Sequence, residues 1–231
     1  MGDDRRAGQG LNGAENGDTG GGGGREGEDL RQRIMSAAGE IVGNQGLDAL
    51  SMRAIALRIG YSPATIYLYF RDKDELLGQV MNEGFHRLEA TMRRELMSLP
   101  EGATSLEQYR ATGKAYARFA LENTGYFQAM FRQPKVPNLI ICPEPREDRV
   151  PGEEAAWDFG LTLVERVLED MGVPVRRPEH VAMAGWGMVH GMVSLYLGGH
   201  LSEHVPDNDS FMELLGEAIE TFGRGWRSGS P

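Results

Sequence analysis

From residue 30 onwards, apolar side chains recur at three- and four-residue spacing, the period of a helix that buries one face. The first such segment places six apolar residues on one side of a helix: Leu30, Ile34, Ala37, Ala38, Ile41 and Val42. No segment alternates apolar and polar residues over the length of a β-strand. The pattern therefore predicts an all-α chain.

Helix-capping residues predict where the first two helices begin and end. Asp29 precedes the first helix, and Gly46 follows it, as glycine commonly does at a helix C-terminus. Ser51 then precedes a short second helix over 52–59, which Gly60 terminates.

The next two helices are predicted in the same way. Ser62, followed by a proline at the first helical position, begins a third helix over 63–70. Asp72 begins a fourth helix that runs to about Leu99, and Glu75 three residues later predicts a capping box. The glycine turn between the short second and third helices matches the helix-turn-helix motif.

The rest of the chain predicts five helices, a loop and a tail. The helices span about 105–122, 124–132, 153–171, 178–200 and 208–226. Residues 133–152 hold five prolines and no helical period, which predicts a long loop. Residues 1–29 include a run of five glycines and almost no apolar side chains, so we expect a disordered Gly-rich tail. The predicted domains are then 30–77, the helix-turn-helix domain, and 78–231, a helical C-terminal domain.

Composition indicates the cellular compartment in which we expect the protein. The single cysteine, Cys142, excludes an intramolecular disulfide and fits a reducing cytoplasm. The first 29 residues lack the apolar core of a signal peptide. Residues 181–199 carry no formal charge, but their five glycines, His190 and Ser194 favour a buried or interface helix over a membrane span. We expect a cytoplasmic protein with no membrane partner.

The net charge of -10 does not argue against nucleic-acid binding, because the acidity is uneven. Residues 30–77 hold five acidic and six basic side chains, whereas the excess of acid lies in the tail and the C-terminal domain.

The predicted third helix has residues suited to a DNA surface. In a helix-turn-helix, the second helix of the motif enters the major groove and its first residues meet base edges. Here those residues are Ser62, Ala64 and Thr65, and Tyr67 and Tyr69 follow with hydroxyl donors for phosphates. The alternative for the tyrosine pair is core packing.

Two basic residues flank that helix. Arg53, at the start of the preceding helix, can meet a phosphate or a guanine edge. Lys73 lies in the first turn of the next helix, where the helix N-terminus also favours an anion.

Residues 30–77, with "LSMRAIALRIGYS" leading into "ATIYLYFRDKDEL", resemble the DNA-binding domain of TetR-family transcriptional regulators. The resemblance implies a homodimer on a palindromic double-stranded DNA operator, with one recognition helix per subunit in successive major grooves, roughly 34–36 Å apart. It also implies a DNA face formed by eight residues: Ser51, Arg53, Ser62, Ala64, Thr65, Tyr67, Tyr69 and Lys73. Tyr61 departs from the small apolar residue of many members.

The C-terminal half is similar to a subgroup of that family that has the sequence motif Trp-x-x-x-His-Gly. In this chain the motif residues are Trp186, His190 and Gly191. The resemblance implies a domain that binds an effector and dimerises. Trp186 and His190 are four residues apart and must be neighbours on a helix. His190 is then either a hydrogen-bonded core histidine or a donor to a ligand.

Aromatic and methionine side chains of the C-terminal helices are candidates for an apolar effector pocket. The predicted ligand-binding residues are Tyr116, Phe119, Phe127, Met130, Phe131, Trp157, Trp186 and His190. Plain core packing is the alternative for each of them. The predicted effector is a small, largely apolar molecule.

Dimerisation is assigned to the helices over 178–200 and 208–226. The second carries an apolar stripe: Phe211, Leu214, Leu215, Ile219 and Phe222. Glycines of the first would allow close approach of a partner. Packing within the core of one subunit is the alternative for both faces.

No enzyme or cofactor motif is present: the sequence has no nucleophile–base pairing, phosphate loop or dinucleotide fingerprint. The segment "HLSEH" lacks the spacing of a zinc protease, and no metal site, catalytic residue or cofactor is predicted. The sequence thus predicts a ligand-responsive transcriptional repressor. An activator or a regulator without a small ligand is the alternative, followed by a ligand carrier that retained the scaffold.

Overall fold

The computed structural model describes residues 22–131, 151–174 and 176–228, and over these ranges it is helical with no strand. The α-helices are α1 (Gly22–Gln45), α2 (Met52–Ile59), α3 (Pro63–Tyr67), α4 (Lys73–Met97), α5 (Ser105–Glu122), α6 (Thr124–Phe131), α7 (Pro151–Asp170), α8 (Pro178–Leu197) and α9 (Asn208–Ser228), with a 3-10 turn at Leu47–Ala49. The all-α prediction is confirmed.

The predicted caps of α2 and α3 form as local chemistry requires. The Ser51 hydroxyl accepts a hydrogen bond from the backbone N–H of Ala54, and the Ser62 hydroxyl accepts one from the N–H of Thr65. Gly60 ends α2 with φ of 76°, a left-handed conformation that glycine adopts without a Cβ clash.

Helix α3 is shorter than predicted, ending at Tyr67 rather than at residue 70. The chain continues in turns, in which the N–H groups of Tyr69 and Phe70 donate to the Ile66 carbonyl. These turns place Phe70 in the core, 1% exposed, and direct the chain into the cap of α4.

Helix α4 forms half of the predicted capping box. The Asp72 carboxylate accepts from the Glu75 N–H at 2.8 Å, but the Glu75 carboxylate accepts from the N–H of Arg71, at 2.7 Å. The hydrogen bond from the Glu75 N–H, followed by that from Arg71, lowers the pKa of Asp72. A complete box forms at Thr104 and Glu107, at the start of α5.

Two predicted irregular segments are shorter than expected. Contrary to a disordered tail up to residue 29, α1 begins at Gly22 and Asp29 lies inside it. Arg25, Glu26 and Glu28 are good helix formers, so the helix extends N-terminal to Asp29. Helix α7 begins at Pro151, since proline suits the first helical turn. Residues 1–21 and 132–150, with Cys142, lie outside the described residues.

Helix α1 of the N-terminal domain packs closely against α6 of the C-terminal domain. A Cβ on Gly125 of α6 would lie 1.8 Å from the carbonyl oxygen of Gly39 on α1, and one on Gly43 would lie 2.9 Å from the Gly125 backbone. Helices α1 and α6 therefore pack backbone to backbone, which only glycine allows. The Tyr126 ring covers Gly39, and the Arg87 guanidinium of α4 lies 4.6 Å from the centre of that ring.

Candidate DNA-binding surface and effector cavity

Five of the eight predicted DNA-facing residues are exposed: Ser51, Arg53, Ser62, Ala64 and Tyr67. The two serines are also the caps of α2 and α3, so their hydroxyls already accept backbone N–H groups. Tyr67 is 55% exposed, and its phenol hydroxyl is therefore available to a partner.

The other three, Thr65, Tyr69 and Lys73, are half-buried. The Thr65 and Ser62 hydroxyls lie 3.0 Å apart, and Tyr69 packs against the core. The Lys73 ammonium donates to the Leu47 carbonyl at 3.1 Å, which fastens α4 to the 3-10 turn. Lys73 thus has a structural role that the sequence pattern did not indicate.

Two leucines of this domain are exposed although they are large and apolar: Leu57 on α2, at 84%, and Leu68 directly after α3, at 82%. Leu68 follows Tyr67, the last residue of α3. The sequence pattern does not assign Leu68 to core or surface, because the period of a helix as short as α3 does not define its faces.

The described C-terminal helices enclose a cavity of about 120 Å³. Helices α4 to α9 all contribute to its wall, and its aromatic lining residues are Phe85, Tyr109, Tyr116, Phe131, Trp157 and Trp186. Among the described lining residues Glu153 is the one carboxylate, and it is 7% exposed. A mostly apolar, aromatic lining suits a ligand with a largely apolar surface.

Four of the eight predicted ligand residues line this cavity: Tyr116, Phe131, Trp157 and Trp186. Phe119 and Met130 do not; both are fully buried in the core. Phe127 and His190 line a second, smaller cavity of about 80 Å³. Helical spacing identifies the buried face of a helix, but it does not distinguish a cavity wall from solid core.

The tryptophan and the histidine are neighbours, as their spacing predicts, with ring centres 5.1 Å apart. The His190 Nδ1 is hydrogen-bonded to the Tyr116 hydroxyl at 2.8 Å. Burial lowers the pKa of His190, so the imidazole is neutral at pH 7. Burial also raises the pKa of Tyr116, and it raises that of Tyr109 to about 12, so both phenols keep their protons.

Comparisons with known proteins decide the family. The family model described as "Bacterial regulatory proteins, tetR family" matches residues 34–80, and the model "Tetracyclin repressor-like, C-terminal domain" matches residues 109–219. The chain belongs to the TetR family. This family consists of DNA-binding transcriptional regulators rather than enzymes.

Relatives within the TetR family include an uncharacterized HTH-type transcriptional regulator of Haemophilus influenzae, 34% identical over 132 residues. That match covers 57% of this chain and 65% of the relative. The HTH-type transcriptional repressor KstR of Mycobacterium tuberculosis is 33% identical over 78 residues, 34% of each chain. The chain thus aligns with less than two thirds of either relative.

Solved structures confirm the TetR-family fold over most of the chain. A protein of unknown function from Rhodococcus sp. RHA1 superposes with a TM-score of 0.69 at 25% identity, covering 85% of this chain and 94% of that one. The TetR-family regulator PfmR from Thermus thermophilus superposes with a TM-score of 0.62 at 22% identity, covering 83% and 97%.

The predicted dimerisation helices of this TetR-family chain divide their apolar residues between two uses. Phe211, Leu215 and Ile219 are fully buried within the protomer, so these three residues of the α9 stripe follow the alternative of core packing. Leu214 and, on α8, Leu195 are exposed, at 38% and 47%.

The α8 glycines divide in the same way. A Cβ on Gly185 would meet the Tyr109 hydroxyl at 2.1 Å, whereas Gly187 and Gly191 face open space.

Among the described residues no group of three or more acidic, histidine or cysteine side chains could hold a metal, and no described helix is long and apolar enough to cross a membrane.

Proposed function

We propose that this TetR-family protein is a cytoplasmic transcriptional repressor that binds a palindromic operator as a homodimer and is released by a small, largely apolar effector. The observation that carries the proposal is the course of α4. Its first turn holds Lys73, next to the recognition helix, and its later turns supply Phe85, Leu88 and Met92 to the cavity wall. One helix of 25 residues, about 37 Å long, therefore reaches both sites.

The DNA side of the proposal rests on the exposed residues of the N-terminal domain. Arg53 and Tyr67 are the exposed residues with long polar side chains among the eight, and both suit phosphate contacts. Ala64 and Thr65 are small enough for the backbone of α3 to approach base edges. The acidic C-terminal domain does not oppose this, because charge acts on DNA locally at physiological salt.

The effector side rests on the apolar cavity. Tyr116, Phe131, Trp157 and Trp186 are proposed to contact the apolar body of the effector. A small molecule that binds one position of α4 more tightly than another shifts the protein towards the conformation with that position. To change the ratio of two such conformations from 1:99 to 99:1, the binding free energies to the two must differ by about 5.5 kcal/mol. The relative KstR is named a transcriptional repressor, which supports repression rather than activation of the target gene.

The dimer is proposed to form through the outer faces of α8 and α9. Gly187, Gly191 and Leu195 lie on one side of α8, and Leu214 extends the apolar surface on α9. Two glycines without neighbours allow a second copy of the helix to approach closely.

Operator selection from a random duplex library, followed by fluorescence anisotropy at several salt concentrations, tests the proposal. Tyr67→Phe and Arg53→Ala should each weaken binding to the selected duplex about 10-fold, because each loses a hydrogen bond to a charged group. Arg94→Ala is the matched control, since Arg94 is exposed near the far end of α4. A library that yields no preferred sequence would refute the regulator proposal.

Transcript measurements in a deletion strain test the sign of regulation. Loss of a repressor raises the transcript next to the selected operator. A fall in that transcript would indicate an activator instead.

A further inference from the structure

The second cavity differs in chemistry from the larger one. It lies between the end of α6 and α8, and polar groups of Gln128, His190 and Ser194 line it together with Phe127 and Phe131. Phe131 is the one described residue that lines both cavities, so the two share a wall. The Phe131 ring therefore separates two neighbouring cavities.

His190 is held in place on several sides. The centres of the Phe127, Phe131 and Trp186 rings lie 5.4, 4.7 and 5.1 Å from the centre of the imidazole. The fixed hydrogen bond to the Tyr116 hydroxyl restrains the ring further. A side chain held in this way presents its remaining nitrogen in one direction, as a preorganised binding group does.

The Tyr116 hydroxyl lies 2.8 Å from Nδ1 of His190, so that hydrogen bond occupies Nδ1 and leaves Nε2 for a ligand. Burial raises the pKa of Tyr116, so the phenol keeps a proton that it can donate. In the tautomer in which that hydroxyl donates to Nδ1, the proton of the neutral imidazole lies on Nε2, which is then a donor.

We infer that the second cavity is a polar subsite of the effector site, which takes a carboxylate or carbonyl oxygen of the effector while its apolar body fills the larger cavity. This rests on the proposed ligand-responsive function. The His190 Nε2–H, the Gln128 amide and the Ser194 hydroxyl are the donors to that oxygen. Trp186 and Tyr116 hold His190 in position, and both also line the larger cavity.

Three probes with a ten-carbon chain and different heads test the subsite: decanoate, which has acceptor oxygens, decan-1-ol, and decyltrimethylammonium, which has neither donor nor acceptor. Isothermal titration calorimetry of the full-length protein measures each Kd. We expect decanoate to bind at least about 10-fold more tightly than decyltrimethylammonium, the ratio expected for one charge-assisted hydrogen bond. Equal affinity for the two, or tighter binding of the cation, would overturn the inference.

Variants separate the subsite from the larger cavity. His190→Leu and Gln128→Leu should weaken decanoate about 10-fold and leave decyltrimethylammonium unchanged, whereas Val164→Phe, in the wall of the larger cavity, should weaken all three probes alike. Gln128 is half-exposed on α6, so Gln128→Leu keeps the test decisive where His190→Leu fails to fold.

The failure of the subsite and the failure of the proposed regulator give different results. Unchanged decanoate binding in both leucine variants overturns the subsite, even where Val164→Phe shows that the larger cavity binds the probes. Absence of binding by every probe overturns the subsite together with the apolar effector. Operator selection is measured without any effector, so the DNA-binding proposal stands or falls separately.

Discussion

The contact between α1 and α6 predicts a large effect from adding one methyl group, Gly125→Ala. The new Cβ would lie 1.8 Å from the Gly39 carbonyl oxygen, 2.6 Å from its carbonyl carbon and 3.3 Å from the Gly43 nitrogen. All three are backbone atoms, so no side chain can rotate away. Helix α1 has to move by about 1 Å or more to reach ordinary van der Waals distance.

The cost follows from the size of that displacement. Overpacking a core by a methylene costs about 1–3 kcal/mol, and obstruction by backbone atoms places this variant at the upper end. For a chain of this size, about 3 kcal/mol lowers Tm by roughly 6–12 °C. Because α1 belongs to the DNA-binding domain, we also expect operator affinity to fall.

Gly78→Ala is the matched control, because Gly78 is on α4 and a Cβ there has nothing within 4 Å. Alanine at an open helical position should be neutral or stabilising by up to about 1 kcal/mol. Circular dichroism during heating measures Tm for both variants, and anisotropy measures operator binding. If Gly125→Ala melts with the wild-type protein, the close packing of α1 on α6 is refuted.

Two further predictions concern the recognition helix and the helix caps. Leu68, 82% exposed beside Tyr67, should contact a thymine methyl in the major groove. Replacing operator thymines with deoxyuridine should then weaken the wild-type protein at one position, and Leu68→Ala should lose that discrimination; equal sensitivity of both proteins contradicts it. The pKa values of Asp72 and Glu107 are lowered chiefly by hydrogen bonds from backbone N–H groups, of Glu75 and Thr104 respectively. Their contribution to stability is therefore present above the ordinary carboxyl pKa of about 4 and is lost as pH falls below it. Urea unfolding between pH 6 and pH 3 should show a smaller loss of stability in Asp72→Asn than in the wild type, and parallel curves would rule the cap effect out.

Local chemistry explains why so much of the N-terminal domain was predictable. Ser51, Gly60, Ser62 and Asp72 each act on residues within four positions, so their effect on helix ends can be read from sequence. The second half of the capping box at Asp72 could not be predicted in this way. The Glu75 carboxylate accepts a hydrogen bond from the N–H of Arg71 instead of from the N–H of Asp72.

Contacts between distant segments explain what was missed. Gly125 lies within the predicted helix over 124–132, and nothing local shows that it meets Gly39. Likewise Phe119 and Phe131 have similar spacing and chemistry, but only Phe131 borders a cavity. A buried side chain lies in a cavity wall or in solid core depending on which residues of other helices pack against it. Those residues are set by the packing of all the helices, which the local sequence does not show.

A hydroxyl-radical footprint on the selected operator tests the dimeric operator-binding claim most directly. Two recognition helices in successive major grooves protect two symmetry-related half-sites whose centres lie about 10–10.5 base pairs apart, or a multiple of that spacing. We predict this pair of protected segments for the wild-type protein, and its loss in the double variant Tyr67→Phe, Arg53→Ala at the same protein concentration. A single protected segment, or uniform reactivity along the duplex, would contradict the account.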